Sequence, residues 1–200
     1  FDEAYMADLY KHRNSRGLFN GDTIITDKWS DELIVDYAED FITRHRDKPF
    51  FAYLSLLTCH APLDAPEHLI KKYSEKGLSE NLATLYAMID QADVQIGRLL
   101  KHLHNLKIEE PTVIIIMSDN GPAINTGIFN DSDRMIRYVN RFKGHKGDIW
   151  ENGVKSPLLI YWKNKITTGI IDDVTDITDI YPTLLDMAGI PVVSDKPIDG

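Results

Sequence analysis

Apolar residues recur along this chain with two different periods, and the changes of period mark its elements. In TDKWSDELIVDYAEDFITRHR, Trp29, Leu33, Tyr37 and Phe41 stand beside Ile34, Ala38 and Ile42 at spacings of three and four, which predicts an amphipathic helix. Acids gather at its start and bases at its end, as the helix dipole favours. Pro49 closes it, and the nearly continuous apolar run PFFAYLSLL reads as a short strand buried on both faces, ending at TCHAPLDAP. A second helix is expected over 66–73 with Pro66 in its first turn. SENLATLYAMIDQADVQIGRLLKHLHNL then predicts a long helix, with Leu82, Leu85, Ala92, Ile96, Leu99, Leu100 and Leu103 broadly on one side. VIIIM and SPLLIYW read as strands, and DITDIYPTLLDMAG as a helix starting near Asp179 or Ile180 and closed by Gly189. Residues 1–25, with the turn signals NSRG and FNGD, read as an irregular lead-in, and 122–154 as a long polar connection. This alternation predicts a layered α/β fold: a largely parallel sheet with helices on both faces.

Composition narrows the field. Two hundred residues with 43% hydrophobic content suffice for one domain with a real core. A net charge of -9, spread rather than clustered, argues against a nucleic-acid surface, which calls for excess Lys and Arg. The single cysteine, Cys59, excludes an internal disulfide framework and a cysteine-rich metal site. No apolar run is long enough to span a bilayer and no signal peptide is visible. The opening FDEAYMADLY and the closing PIDG do not look like natural termini, so the chain reads as an internal fragment.

Candidate chemistry gathers where predicted strands end. In VIIIMSDNG the aliphatic run stops at Asp119, Asn120 and Gly121. In a parallel α/β sheet that is the carboxyl edge, where ligands bind. Asp119 and Asn120 offer hard oxygen donors suited to calcium or magnesium, and Gly121 lets the backbone bend away. His60, stiffened by Pro62 and Pro66, could donate to an anion or protonate a leaving group. Lys146, between Gly144 and Gly147, could present a compact positive charge to an oxyanion, with His145 beside it. Each signal alone has an ordinary structural explanation, as a turn, a loop histidine or a solvated lysine. Glu151 would tie the loop down or orient Lys146 through an ion pair. Cys59 adjoins His60, but neighbours on an extended segment face opposite ways, so a buried structural cysteine is expected rather than a nucleophile. Phe129, Tyr138 and Trp150 are candidates for a sugar subsite, with loop or core packing the ordinary alternative.

Taken together and in order, PFFAYLSLLTCHAPLDAP, VIIIMSDNG, FKGHKGDIWENGVKSPLLIYW and DITDIYPTLLDMAGIP closely resemble the sulfatase family of the alkaline phosphatase superfamily over residues 26–200. The resemblance implies an incomplete alkaline phosphatase-like fold, the central-to-late part of a catalytic domain that hydrolyses sulfate monoesters of a sulfated carbohydrate or aryl ester. It implies calcium ligation by Asp119 and Asn120, and sulfate and ester-oxygen contacts by Lys146 and His60, with His60 protonating the leaving alcohol. It also implies a formylglycine made from an upstream Cys or Ser in C/S-x-P-x-R, a motif this chain lacks, and a calcium shell completed upstream. The chain alone is therefore expected neither to turn over sulfate esters nor to bind calcium tightly. A periplasmic, secreted or lysosomal location follows from the same resemblance. Related phosphatases carry SDHG where this chain has SDNG, which favours sulfate over the alternative of a phosphatase or phosphodiesterase. A non-catalytic carbohydrate-binding module is the alternative of another class.

Overall fold

The computed structural model describes residues 2–8, 10–14, 16–123, 127–137, 142–192 and 197–198. Compact units form over 1–165 and 166–200.

In the first unit, helix α1 (Ser30–His45), α2 (Glu67–Ser74) and α3 (Glu80–Asn105) form the core, with α1 and α2 both packed on α3. Ser79 caps α3, its side chain accepting from Leu82 N at 3.2 Å, which satisfies one of the free amides of the first turn. The apolar stripe read from the sequence is buried early in this helix. Leu82, Ala83 and Ala87 are fully enclosed, and Met88 nearly so. Arg98 ties α3 to α1 through Asp36 at 2.7 Å and Glu39 at 2.8 Å.

The lead-in is structured. Strands β1 (Tyr5–Met6), β2 (Arg16–Phe19) and β3 (Asp22–Ile25) make a small antiparallel sheet in the order β1-β2-β3. Asn20 and Gly21 join β2 to β3 with φ of 50° and 96°, the positive pair a two-residue hairpin turn requires.

Two strand expectations change. PFFAYLSLL is extended, its side chains over 50–55 alternating between half-buried and exposed, but it joins no ladder among the described residues. Among the described residues no strand pairs with it to take its amides and carbonyls. Strands β4 (Val113–Met117) and β5 (Leu158–Trp162) are paired antiparallel, from Val113 opposite Trp162 to Met117 opposite Leu158. The chain is mixed α/β, and all strand pairs among the described residues are antiparallel.

The start of β4 is anchored by Glu109. Its carboxylate accepts from Lys163 Nζ at 2.6 Å, Tyr161 Oη at 2.8 Å and His104 Nδ1 at 3.1 Å, joining the end of α3 to β5. The Lys163 ammonium, followed by His104 and Tyr161, holds the Glu109 pKa down at about 2, against an ordinary 4.5. A carboxylate depressed in the fold adds stability that is fully present above its ordinary pKa and is lost as pH falls through the folded value. Unfolding midpoints measured from about pH 5 down to about pH 2 should therefore show native protein above Glu109→Gln, with the gap closing at the acid end. A gap that is constant across that range contradicts the assignment.

Within 166–200, Asp176 accepts from Thr178 N at 2.9 Å while Asp179 accepts from Asp176 N at 2.7 Å. This reciprocal cap opens a short 3-10 turn (Ile177–Asp179) that runs into α6 (Ile180–Met187), and Gly189, at φ 65°, follows its end. The helix lies where the sequence placed it.

Candidate active site

Because β5 runs antiparallel to β4, the connection that returns to β5 lies against the end of β4. Ser118 N donates to Pro157 O at 3.2 Å, and Ser156 Oγ donates to Ser118 O at 2.9 Å. Further along, Gly121 N donates to Gly153 O at 2.9 Å, and Lys146 N donates to Pro122 O at 2.9 Å. Asn152 closes the turn from inside, its N donating to Lys143 O at 3.0 Å and its Nδ2 to Gly144 O at 2.9 Å. The Lys146 turn and the Asp119-Asn120 corner are thus one hydrogen-bonded unit. A parallel sheet was the expected route to this meeting; a long antiparallel hairpin achieves it.

Glycines make the unit possible in two ways. Gly144 and Gly147 take φ of 96° and 93°, so the turn needs residues without the steric cost of a Cβ. The backbone bends at 119–121 as expected, but Gly121 has no such φ, and its need for glycine has another cause. A Cβ on Gly121 would lie 1.8 Å from Asn152 O, so glycine is required by the close approach of another backbone.

The side chains at the corner differ in engagement. Asn120 donates its Nδ2 to Gly121 O at 2.9 Å, which leaves its amide oxygen as the outward acceptor. Asp119 is exposed, and among the described residues its carboxylate takes no hydrogen bond or ion pair. The Lys146 ammonium is likewise exposed and unpaired among them. Glu151 does not orient Lys146; it accepts from Lys155 Nζ at 3.1 Å, one helical turn on, in the short α5 (Glu151–Val154). His145 donates Nδ1-H to Lys146 O at 2.9 Å and faces Asp148 with its other nitrogen at 3.6 Å.

His60 sits in a tight turn, its N donating to Leu57 O at 3.0 Å. The ring's Nδ1 lies 2.6 Å from Ala61 O, an acceptor, so Nδ1 carries the proton and Nε2 is the nitrogen left for chemistry. Tyr10 lies against the ring at 4.7 Å. Arg137 stands at the end of α4 (Asp131–Arg137). It donates to Ala123 O at 3.1 Å, and its charge acts on the thiol of Cys59, next to His60. No hydrogen bond or ion pair joins His60 directly to Asp119, Asn120 or Lys146 among the described residues.

Cys59 is an exposed residue rather than a buried structural one. Desolvation of the thiol by surrounding atoms raises its pKa despite the Arg137 charge, which keeps it protonated and a poor nucleophile. Phe129 is buried with Leu82 and Leu85, beneath the Arg137 guanidinium at 4.4 Å, and so lines no subsite. Trp150 stays half exposed under the Lys143 ammonium, 3.6 Å from the ring centroid; Tyr138 lies outside the described residues.

Two further residues support His60 and were not singled out by sequence. His12 Nε2 donates to His60 O at 2.8 Å. Asp31, in the first turn of α1, accepts from Leu57 N at 2.7 Å and from the Thr58 hydroxyl. Both are buried. An acid early in a helix reads as a dipole partner, and nothing in the chain order pairs position 31 with position 58.

The donor chemistry at the corner fits a hard cation such as calcium in kind. It falls short in number. Two oxygen-bearing side chains do not reach six to eight ligands, and no cluster of three or more His, Cys, Asp or Glu suited to a metal occurs among the described residues. No helix among them is long and apolar enough to cross a membrane.

The family model described as Sulfatase matches residues 1–190. Among curated proteins, the chain is 31% identical over 180 residues to the uncharacterized sulfatase YdeN of Escherichia coli (strain K12), covering 88% of this chain and 30% of that protein. It is 27% identical over 205 residues to the steryl-sulfatase of Rattus norvegicus, covering 98% and 34% respectively. The chain thus spans about a third of the length of these relatives. Among solved structures, that of Ps i-CgsB in complex with k-i-k-neocarrahexaose superposes with a TM-score of 0.81 at 25% identity, covering 92% of this chain and 40% of that one.

Proposed function

The chain belongs to the sulfatase family, and on that premise we propose that it carries the later half of a site that hydrolyses sulfate monoesters. The observation that carries the reading is the pair of backbone bonds, Gly121 to Gly153 and Lys146 to Pro122, that ties the turn bearing an unpaired ammonium to the corner bearing two hard oxygen donors. In the whole protein Lys146 takes a sulfate oxygen as a point charge. Asp119 and the amide oxygen of Asn120 would hold calcium, which when bound would supply further neutralisation of the sulfate; the rest of its shell and the formylglycine nucleophile would come from outside this chain. His60 in its imidazolium form gives its Nε2 proton to the departing alcohol, while Ala61 O keeps Nδ1-H in place.

The extended segment 49–57 becomes a strand of a layered, largely parallel sheet once the whole protein supplies a neighbour. The substrate class is a sulfated carbohydrate or aryl ester, in line with an oligosaccharide complex among the similar structures. A periplasmic, secreted or lysosomal protein fits such a substrate.

The reading is tested by assaying the whole protein on para-nitrophenyl sulfate and para-nitrophenyl phosphate. Sulfate turnover exceeding phosphate turnover by at least about tenfold, a difference of about 1.4 kcal/mol in barrier, is expected. Equal rates, or faster phosphate cleavage, refute it.

A further inference from the structure

We infer that Asp31 is a positioning residue for the proton donor, holding the His60 imidazole where it can reach the leaving oxygen. The inference rests on the reading of His60 given above. His60 is exposed at the tip of a turn, and the contacts of its ring with Ala61 O and Tyr10 orient the ring without anchoring the turn itself to the core. What fixes the turn comes from the start of α1. Asp31 is only 5% exposed, and its two carboxylate oxygens are divided between consecutive residues, Oδ1 taking Leu57 N at 2.7 Å and Oδ2 the Thr58 hydroxyl.

The same helix start holds the other side of the turn through His12. Ser30 N donates to His12 O at 2.7 Å and Ser30 Oγ donates to Lys11 O at 2.6 Å, so the segment bearing His12 is tied to α1. His12 Nε2 then reaches the His60 carbonyl at 2.8 Å. Residues 57, 58 and 60 are therefore all referred to one rigid element, itself packed on α3.

A carboxylate suits this task better than an amide. It accepts with both oxygens in charge-assisted bonds, whereas an asparagine accepts with one neutral oxygen and meets the Thr58 hydroxyl only as a donor. Asp31→Asn exchanges two charge-assisted bonds for weaker neutral ones, the one to Thr58 reversed in direction, letting the turn drift. Displacements on the order of 1 Å cost up to about 100-fold in steps that depend on alignment. The damaged step is specific. Proton delivery matters most when the leaving alcohol is weakly acidic and least when it departs readily as an anion.

The test is a series of aryl sulfates, from para-nitrophenyl through phenyl to para-methoxyphenyl, run on the whole protein and on His60→Ala, Asp31→Asn, Thr58→Val and Thr58→Ser. In the native protein the rate should depend weakly on phenol acidity. His60→Ala should steepen that dependence. Asp31→Asn and Thr58→Val should steepen it too, lowering kcat on phenyl sulfate by about 10- to 100-fold and on para-nitrophenyl sulfate by less than about threefold. Thr58→Ser, which keeps the hydroxyl, should restore the native profile. A uniform loss across the series, or no change, in Asp31→Asn while His60→Ala is steep overturns the inference and leaves the role of His60 standing. A flat profile in His60→Ala refutes that role and the inference with it. Should Asp31→Asn fail to fold, Thr58→Val decides by the same criterion.

Discussion

Replacing Gly121 with alanine is expected to destabilise the fold by more than about 4 kcal/mol, or to leave no folded protein. The added methyl would stand 1.8 Å from Asn152 O, 2.8 Å from Asn152 C and 3.1 Å from Gly153 C. All three are backbone atoms, so no rotamer change relieves the overlap. The two backbone segments must separate, which breaks the bond from Gly121 N to Gly153 O and carries the Lys146 turn away from the corner. Gly97, inside α3 with nothing within 4 Å of its virtual Cβ, is the internal control. There Gly97→Ala should stabilise by roughly 0.5 to 1 kcal/mol, because alanine loses less conformational freedom in a helix. Urea unfolding of both variants checks the pair; a Gly121→Ala midpoint equal to the native one would mean the close approach is not real.

The second large effect is on turnover. Lys146→Ala in the whole protein should lower kcat/KM on sulfate esters by about 100- to 1000-fold, the usual loss when one preorganised group facing an oxyanion is removed. Its ammonium has no partner among the described residues, and its backbone, not its side chain, ties the turn to Pro122. Stability should therefore stay within about 0.5 kcal/mol of native. Lys146→Arg should recover only part of the rate, since a planar fork replaces a compact point charge within a turn bounded by Gly144 and Gly147. Steady-state kinetics beside an unfolding curve separates the two readouts. A change in kcat/KM under about threefold would remove Lys146 from the chemistry.

Periodicity carried the helices well. The stripe from Leu82 onward and the run around Trp29 gave α3 and α1 within a few residues, because both elements bury one face on each other. VIIIM and LLIYW were equally plain. Their direction was not, since an apolar strand reads the same parallel or antiparallel and only the partner decides. PFFAYLSLL shows the complementary failure. Strand propensity was there, but a ladder needs a neighbour, and none stands beside it among the described residues. In the lead-in the turn signal FNGD marks the hairpin turn at Asn20-Gly21, while the four-residue strands on either side are too short to show a period.

At the candidate site, the residues proposed for chemistry are visible because they follow apolar runs that read as strands, as His60, Asp119 and Asn120 do, or sit among glycines, as Lys146 does. Their supports are not. Asp31 reaches Thr58 across 27 positions of chain and His12 reaches His60 across 48, through a carboxylate and an imidazole that any sequence could carry for other reasons. Asn152 likewise reveals itself only by where its amide and carbonyl point.

The convergence of His60, Asp119, Asn120 and Lys146 is tested most directly by a crystal structure of the whole protein soaked in inorganic sulfate. One sulfate within hydrogen-bond reach of both Lys146 Nζ and His60 Nε2, beside a cation held by oxygens of Asp119 and Asn120, is the predicted result. Lys146 and His60 opening onto different faces of the protein, with no anion between them, would contradict it.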